Sequence, residues 1–166
     1  KKYPAIIDGF KKNKKEVIIM NNIYDPDIQK APLHIVEFWI NSNDKKVLEI
    51  AKNGDDYSFS INCAAYLDDK FLSNVSSVPN NYIVCTVLST DKTQKYLNQQ
   101  YIDFDLENSI VPFEFKVKLP ASEISFNDIR IQLSYVTSVE PHAGITESLR
   151  AGRFFDTKIP VNKESN

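Results

Sequence analysis

Four stretches of the chain alternate apolar and polar residues with a period of two. From Pro112 to Pro120, Phe113, Phe115, Val117 and Leu119 are separated by Glu114, Lys116 and Lys118. Ile129, Ile131, Leu133 and Tyr135 alternate with Arg130, Gln132 and Ser134, and Ile102, Phe104 and Leu106 with Asp103 and Asp105. Tyr57, Phe59, Ile61, Cys63 and Ala65 alternate with Ser58, Ser60, Asn62 and the small Ala64. Successive side chains of a strand point to opposite faces, so each stretch reads as a strand with one apolar face. Antiparallel sheets covered on one side carry this signature.

Further strands are predicted over Glu16–Ile23, Leu33–Ile40, Tyr82–Ser89 and Arg153–Val161. Lys45–Ala51 runs into Asn53-Gly54, a hairpin signal because both residues tolerate positive φ, and the turn is expected to pair 45–51 with 57–67. The period of Lys45–Lys52 is ambiguous, with a short helix as the alternative. Turn formers cluster at Asp25–Asp27, Asn41–Asp44, Asp68-Asp69, Asn74–Asn81 and Asp91–Thr93. Helical turns are expected only around Lys92–Gln100 and Thr146–Ala151. The sum is an all-β chain of about eight or nine strands, an immunoglobulin-like or related two-sheet antiparallel β-sandwich. Its expected limits are 16–161, with a flexible basic arm over 1–15 and a disordered tail over 162–166. From Thr137 to Gly152 the strand pattern lapses for longer than a compact domain usually allows, which makes this loop a candidate working surface.

Composition narrows the classes. At 166 residues the chain fits one domain with a core that needs no staples. A formal charge of −2 provides no basic footprint for nucleic acid. No apolar run approaches the ~20 residues that span a bilayer. The chain begins at Lys1, which leaves room for a signal or anchor segment removed ahead of it. Cys63 and Cys85 lie in apolar strand segments and read as buried thiols, with an inter-strand disulfide in an oxidising compartment as the alternative.

Chemistry has few footholds. The histidines are His34, at a strand start, and His142, in the long loop. No nucleophile elbow, zinc-protease motif or glycine-rich phosphate loop is present, so the chain reads as non-catalytic. No cofactor is expected apart from calcium. The acid pairs Asp25/Asp27, Asp55/Asp56 and Asp68/Asp69 sit at predicted turns and could share a calcium ion if two turns meet at one end of the sandwich. Carbohydrate binding would use aromatic side chains on a sheet face or rim, for which Trp39, Tyr24, Tyr66, Tyr96 and Tyr101 are candidates. Arg153, Phe154 and Phe155, with His142 and Arg150 in the preceding loop, combine the residue types of a binding hot spot.

The stretch Tyr82–Pro120, ending in Pro-Phe-Glu-Phe-Lys-Val-Lys-Leu-Pro, resembles the accessory sandwich domains of secreted or surface bacterial proteins. The resemblance implies a cell-surface or secreted location. The expected function is a non-catalytic interaction or structural module of a larger assembly, binding another protein through loops or an exposed sheet edge. The alternatives are a calcium- or carbohydrate-binding module, and a small enzyme using the 137–152 loop.

Overall fold

In a computed structural model, whose described residues are 33–75, 81–104, 106–137 and 152–165, nine strands form two packed sheets. The first holds β1 (Leu33–Ser42), β2 (Lys45–Val47), β4 (Asp56–Leu67) and β7 (Ile110–Pro120) in the order β2-β1-β4-β7. The second holds β3 (Ile50–Lys52), β5 (Asn81–Ser89), β6 (Tyr96–Asp103), β8 (Asp128–Thr137) and β9 (Arg153–Ser165) in the order β3-β9-β8-β5-β6. A two-sheet sandwich is therefore the architecture, as the alternation predicted.

Three of the four alternating stretches supply the core, whereas the stretch Ile102–Leu106 is a strand only to Asp103, where β6 ends, and its apolar side chains are partly buried against the core. Phe59, Ile61, Cys63, Phe113, Phe115 and Val117 from one sheet meet Ile83, Cys85, Val87, Ile129, Ile131 and Leu133 from the other, all buried in one cluster. Burying such side chains contributes about 1.5–3 kcal/mol each, which fixes strand register because a one-residue slip would reverse every face. β4 pairs with β7 without a break from Asp56↔Pro120 to Tyr66↔Ile110, giving the first sheet a long, regular centre.

The segment around Asn53-Gly54 departs from expectation. Gly54 does take a left-handed φ of +63°, and Asn53 bridges to Asp56. The chain entering that turn does not zip onto β4, however. The bend at Leu48 and Glu49 separates β2, which pairs with β1, from β3, which runs parallel to β9 through Ile50↔Val161. Ile50 is buried in the core while Leu48 is 93% exposed. Anchoring Ile50 between the layers takes β3 into the opposite sheet, so the turn links sheets instead of closing a hairpin.

A helix, α1 (Asp69–Val75), runs from one expected turn cluster, Asp68-Asp69, into the next, which begins at Asn74. The Asp68 carboxylate accepts the Phe71 amide at 2.7 Å, which satisfies a free N–H of the first turn. Phe71 is fully buried and meets Tyr135 edge-on at 4.8 Å, closing one end of the sandwich. The helical turn expected around Lys92–Gln100 is instead a turn on Asp91 leading into β6. At the C-terminus β9 continues to Ser165, so residues 162–165 extend a strand and are not a disordered tail. The expected arm over 1–15, the strand over 16–23 and the helical turn near 146–151 lie outside the described residues.

Parts of the first sheet's edges are guarded, although among the described residues β2 leaves Leu33–Trp39 of β1 uncovered. β2 is three residues long and carries Lys45 and Lys46. β7 has Pro112 and Pro120 near its ends, and Gln100 Nε2 reaches across from β6 to donate to the Lys116 carbonyl at 2.6 Å.

Candidate functional site

The outward faces of the two sheets differ sharply. On the five-stranded sheet the outward side chains of β5 and β8 are closed from solvent. Tyr82, Val84, Thr86, Leu88, Gln132, Ser134 and Val136 are each 4% exposed or less. Tyr82, Val84 and Val136 form a small apolar cluster of their own, with Tyr101 packed against it. Beside it Asp156 gathers a bonded network. Arg130 donates Nε to Oδ1 at 2.8 Å and Nη2 to Oδ2 at 2.6 Å, Gln132 Nε2 donates at 3.0 Å, and Arg153 Nη1 lies at 3.5 Å. A bidentate guanidinium–carboxylate pair with a third donor is a strong, directional arrangement when little water reaches it. Its groups are used on one another.

The four-stranded sheet presents an open face. Register places its outward residues in rows across the strands: His34–Tyr66–Ile110, Glu37–Ala64–Pro112, Trp39–Asn62–Glu114, Asn41–Ser60–Lys116, then Ser58–Lys118. Lys46 of β2 extends the fourth row beyond Asn41. A bulge between Ile35 and Glu37 turns Val36 outward, where it is 52% exposed. Tyr66 (39%) and Ile110 (54%) are exposed beside it. Trp39 is partly exposed, and Lys46 Nζ stands 4.5 Å above its ring centroid. Tyr66 and Asn62, the partner of Trp39, are four positions apart along β4. At ~3.3 Å per residue the two aromatic positions therefore sit about 13 Å apart along the strands. Ala64 between them carries only a methyl, which leaves the floor low.

Polar groups on this face are held in place. Asn62 Nδ2 donates to Ser60 Oγ at 2.9 Å. Lys118 pairs with Asp56 at 2.9 Å, and the Asp56 carboxylate raises its pKa, chiefly through that hydrogen bond. At the other end His34 Nε2 lies 3.2 Å from Asp68 Oδ2. Hydrogen bonds from the Phe71 amide and then from His34 hold the Asp68 carboxyl below the usual carboxylate range, against some desolvation. Glu37, Glu114, Lys46 and Lys116 are exposed and charged on this hydrogen-bonding surface, beside the Lys118–Asp56 pair.

The residues singled out from sequence fall in several places. Phe154 and Phe155 pack into the core, Phe155 against Phe38 at 4.7 Å, and Arg153 is 6% exposed in the Asp156 network. These three do not form an exposed hot spot. His142, Arg150, Asp25 and Asp27 lie outside the described residues, as does most of the 137–152 loop. Asp55/Asp56 and Asp68/Asp69 sit at opposite ends of β4, a separation of roughly 35–40 Å for a strand of this length. No two of those described turns meet, and among the described residues no three His, Cys, Asp or Glu side chains cluster to hold a metal. Cys63 and Cys85 are free, buried thiols, and desolvation pushes Cys63 up to about 12 and raises Cys85 as well. Neither is an activated nucleophile. The polar residues of the open face were visible only as the solvent side of separate strands; nothing in the sequence said which strands lie side by side.

No family model matches the chain, and no curated protein matches it. Among solved structures it is similar to the C-terminal domain of Wzt, with a TM-score of 0.52, 11% identity, and coverage of 81% of this chain and 76% of that one. A glycosyl hydrolase family 2 member from Bacteroides cellulosilyticus DSM 14838 aligns with a TM-score of 0.45 and 6% identity, over 79% of this chain. The chain spans 15% of that enzyme's length. The likeness to the Wzt domain shows a shared fold. The class is a two-sheet β-sandwich domain, with one covered outer face and one open one.

Proposed function

We propose that this domain is a non-catalytic carbohydrate-binding module working through the open face of its four-stranded sheet. The observation that carries the reading is Trp39, set on that face beside the Asn41–Ser60 and Asn62–Glu114 rows. A pyranose ring has an apolar C–H face and a rim of hydroxyls. An indole supplies flat apolar area for the first, and amides, a hydroxyl, a carboxylate and an ammonium supply donors and acceptors for the second. Tyr66, about 13 Å further along, offers a second aromatic contact suited to an extended chain of sugars.

Other readings find less support. Strand addition by a partner protein is the second reading: β7 carries prolines and the Gln100 cap, but among the described residues β2 covers only Ile40–Ser42 of β1 and leaves Leu33–Trp39 as an open edge. A shared calcium ion would need acid pairs that meet, and the described pairs are at opposite ends of β4. The reading as a small enzyme rests on the 137–152 loop, most of which lies outside the described residues.

The test is a glycan array probed with the wild type and with Trp39→Ala. The wild type is expected to retain a related group of saccharides. Trp39→Ala should lose them by about tenfold or more, the scale of a well-stacked aromatic anchor, with its melting transition intact. No retained glycan, or equal binding by the variant, contradicts the reading.

A further inference from the structure

Lys46 sits where a sugar would stack. Its ammonium is 4.5 Å from the Trp39 centroid, over the ring, on the exposed edge strand β2. Among the described residues it has no carboxylate partner, unlike Lys118, which is neutralised by Asp56. A neutral pyranose must displace it, giving up a cation–π contact worth about a two- to fivefold factor at an exposed site. The displaced ammonium stays on a flexible stem beside the bound ring.

The rest of the face gives an anion a direction. Glu114 lies on β7, at the opposite side of the Trp39–Asn62 row, and repels a carboxylate from that side. Glu37 is on the neighbouring row, towards Tyr66. Lys46 lies beyond Asn41; the exposed Asp44 and Glu49 flank its strand but neither forms an ion pair with it, and Lys116 ends the same row about 14 Å away across three strand spacings. An acidic sugar stacked on Trp39 with its carboxylate towards β2 turns the displaced Lys46 into its ion-pair partner. The same group then obstructs neutral sugars and rewards acidic ones.

We infer that Lys46 is the specificity-determining residue of the face and that the ligand is a glycan carrying carboxylated sugars. This rests on the carbohydrate-binding reading above. The experiment is calorimetric titration of the whole chain with tetragalacturonate and with galactotetraose, a neutral saccharide of matched length, using wild type, Lys46→Ala, Lys46→Gln and Trp39→Ala. The wild type is expected to prefer the acidic ligand, with a preference that falls as salt is raised. Lys46→Ala should weaken tetragalacturonate by about two- to fivefold, as for an exposed ion pair, and strengthen galactotetraose by a similar factor through unmasking the ring. Lys46→Gln should follow Lys46→Ala for the acidic ligand. Trp39→Ala should lose both. If Lys46→Ala changes both ligands in the same direction or neither, the inference about Lys46 is overturned. If Trp39→Ala still abolishes binding in that case, the carbohydrate reading stands alone. Absence of any binding by the wild type overturns both.

Discussion

Asp68 shows how one side chain serves several structures at once. It accepts the Phe71 amide at the start of α1 and faces His34 across the sheet end. Because these bonds lower its folded pKa below the value of about 3.9 for an unfolded Asp, the stabilisation it brings is fully present above that value. It is lost as pH falls through the lowered folded value. Melting temperature followed from pH 6 to pH 2 should therefore drop less steeply in Asp68→Ala than in the wild type; parallel curves would contradict the assignment. From sequence, Asp68 reads as a turn former or a calcium ligand; in the structure its carboxylate accepts the Phe71 amide at the start of α1. Trp39 was likewise legible as a candidate aromatic. Its neighbours were not, because Asn62, Glu114 and Lys46 come from three other strands that meet it only through pairing. Arg153, Phe154 and Phe155 have the composition of a hot spot, but in the structure Arg153 and Phe154 are buried and Phe155 packs, partly buried, against the core.

At the level of elements, long alternating runs declare themselves and short ones do not. β4, β7 and β8 were readable because twelve, eleven and ten residues carry several repeats of the period. β2 and β3 are three residues each, too short for a period, and only tertiary burial of Ile50 decides their sheets. The helix α1 is seven residues, about two turns, so its apolar Phe71 and Leu72 form no stripe that periodicity can detect. Its tie to the fold is Phe71, which fills the sandwich end against Tyr135. Phe71→Ala should cost about 3–5 kcal/mol, the range for emptying a fully buried aromatic site. Urea unfolding would measure it, and a loss below about 1 kcal/mol would show that the end of the sandwich collapses around the gap.

Across the whole molecule, a sandwich has two outer faces and uses them differently. The face of the five-stranded sheet commits its arginines, glutamine and aspartate to one another and buries β5 along its full length. The face of the four-stranded sheet leaves Trp39, Tyr66 and a polar lattice open. The pattern of alternation foretold two layers, and the near-continuous apolar run Tyr82–Leu88 of β5 was the one signal in the chain that an outer face would be closed. The central claim concerns that choice of face. Backbone and side-chain chemical-shift mapping during titration with a bound oligosaccharide tests it most directly. The signals of Trp39, Asn41, Ser60, Asn62 and Glu114 should move together and saturate with the binding isotherm. Shifts confined to Thr86, Gln99, Arg130, Gln132 and Asp156, with the Trp39 indole unmoved, would contradict the account.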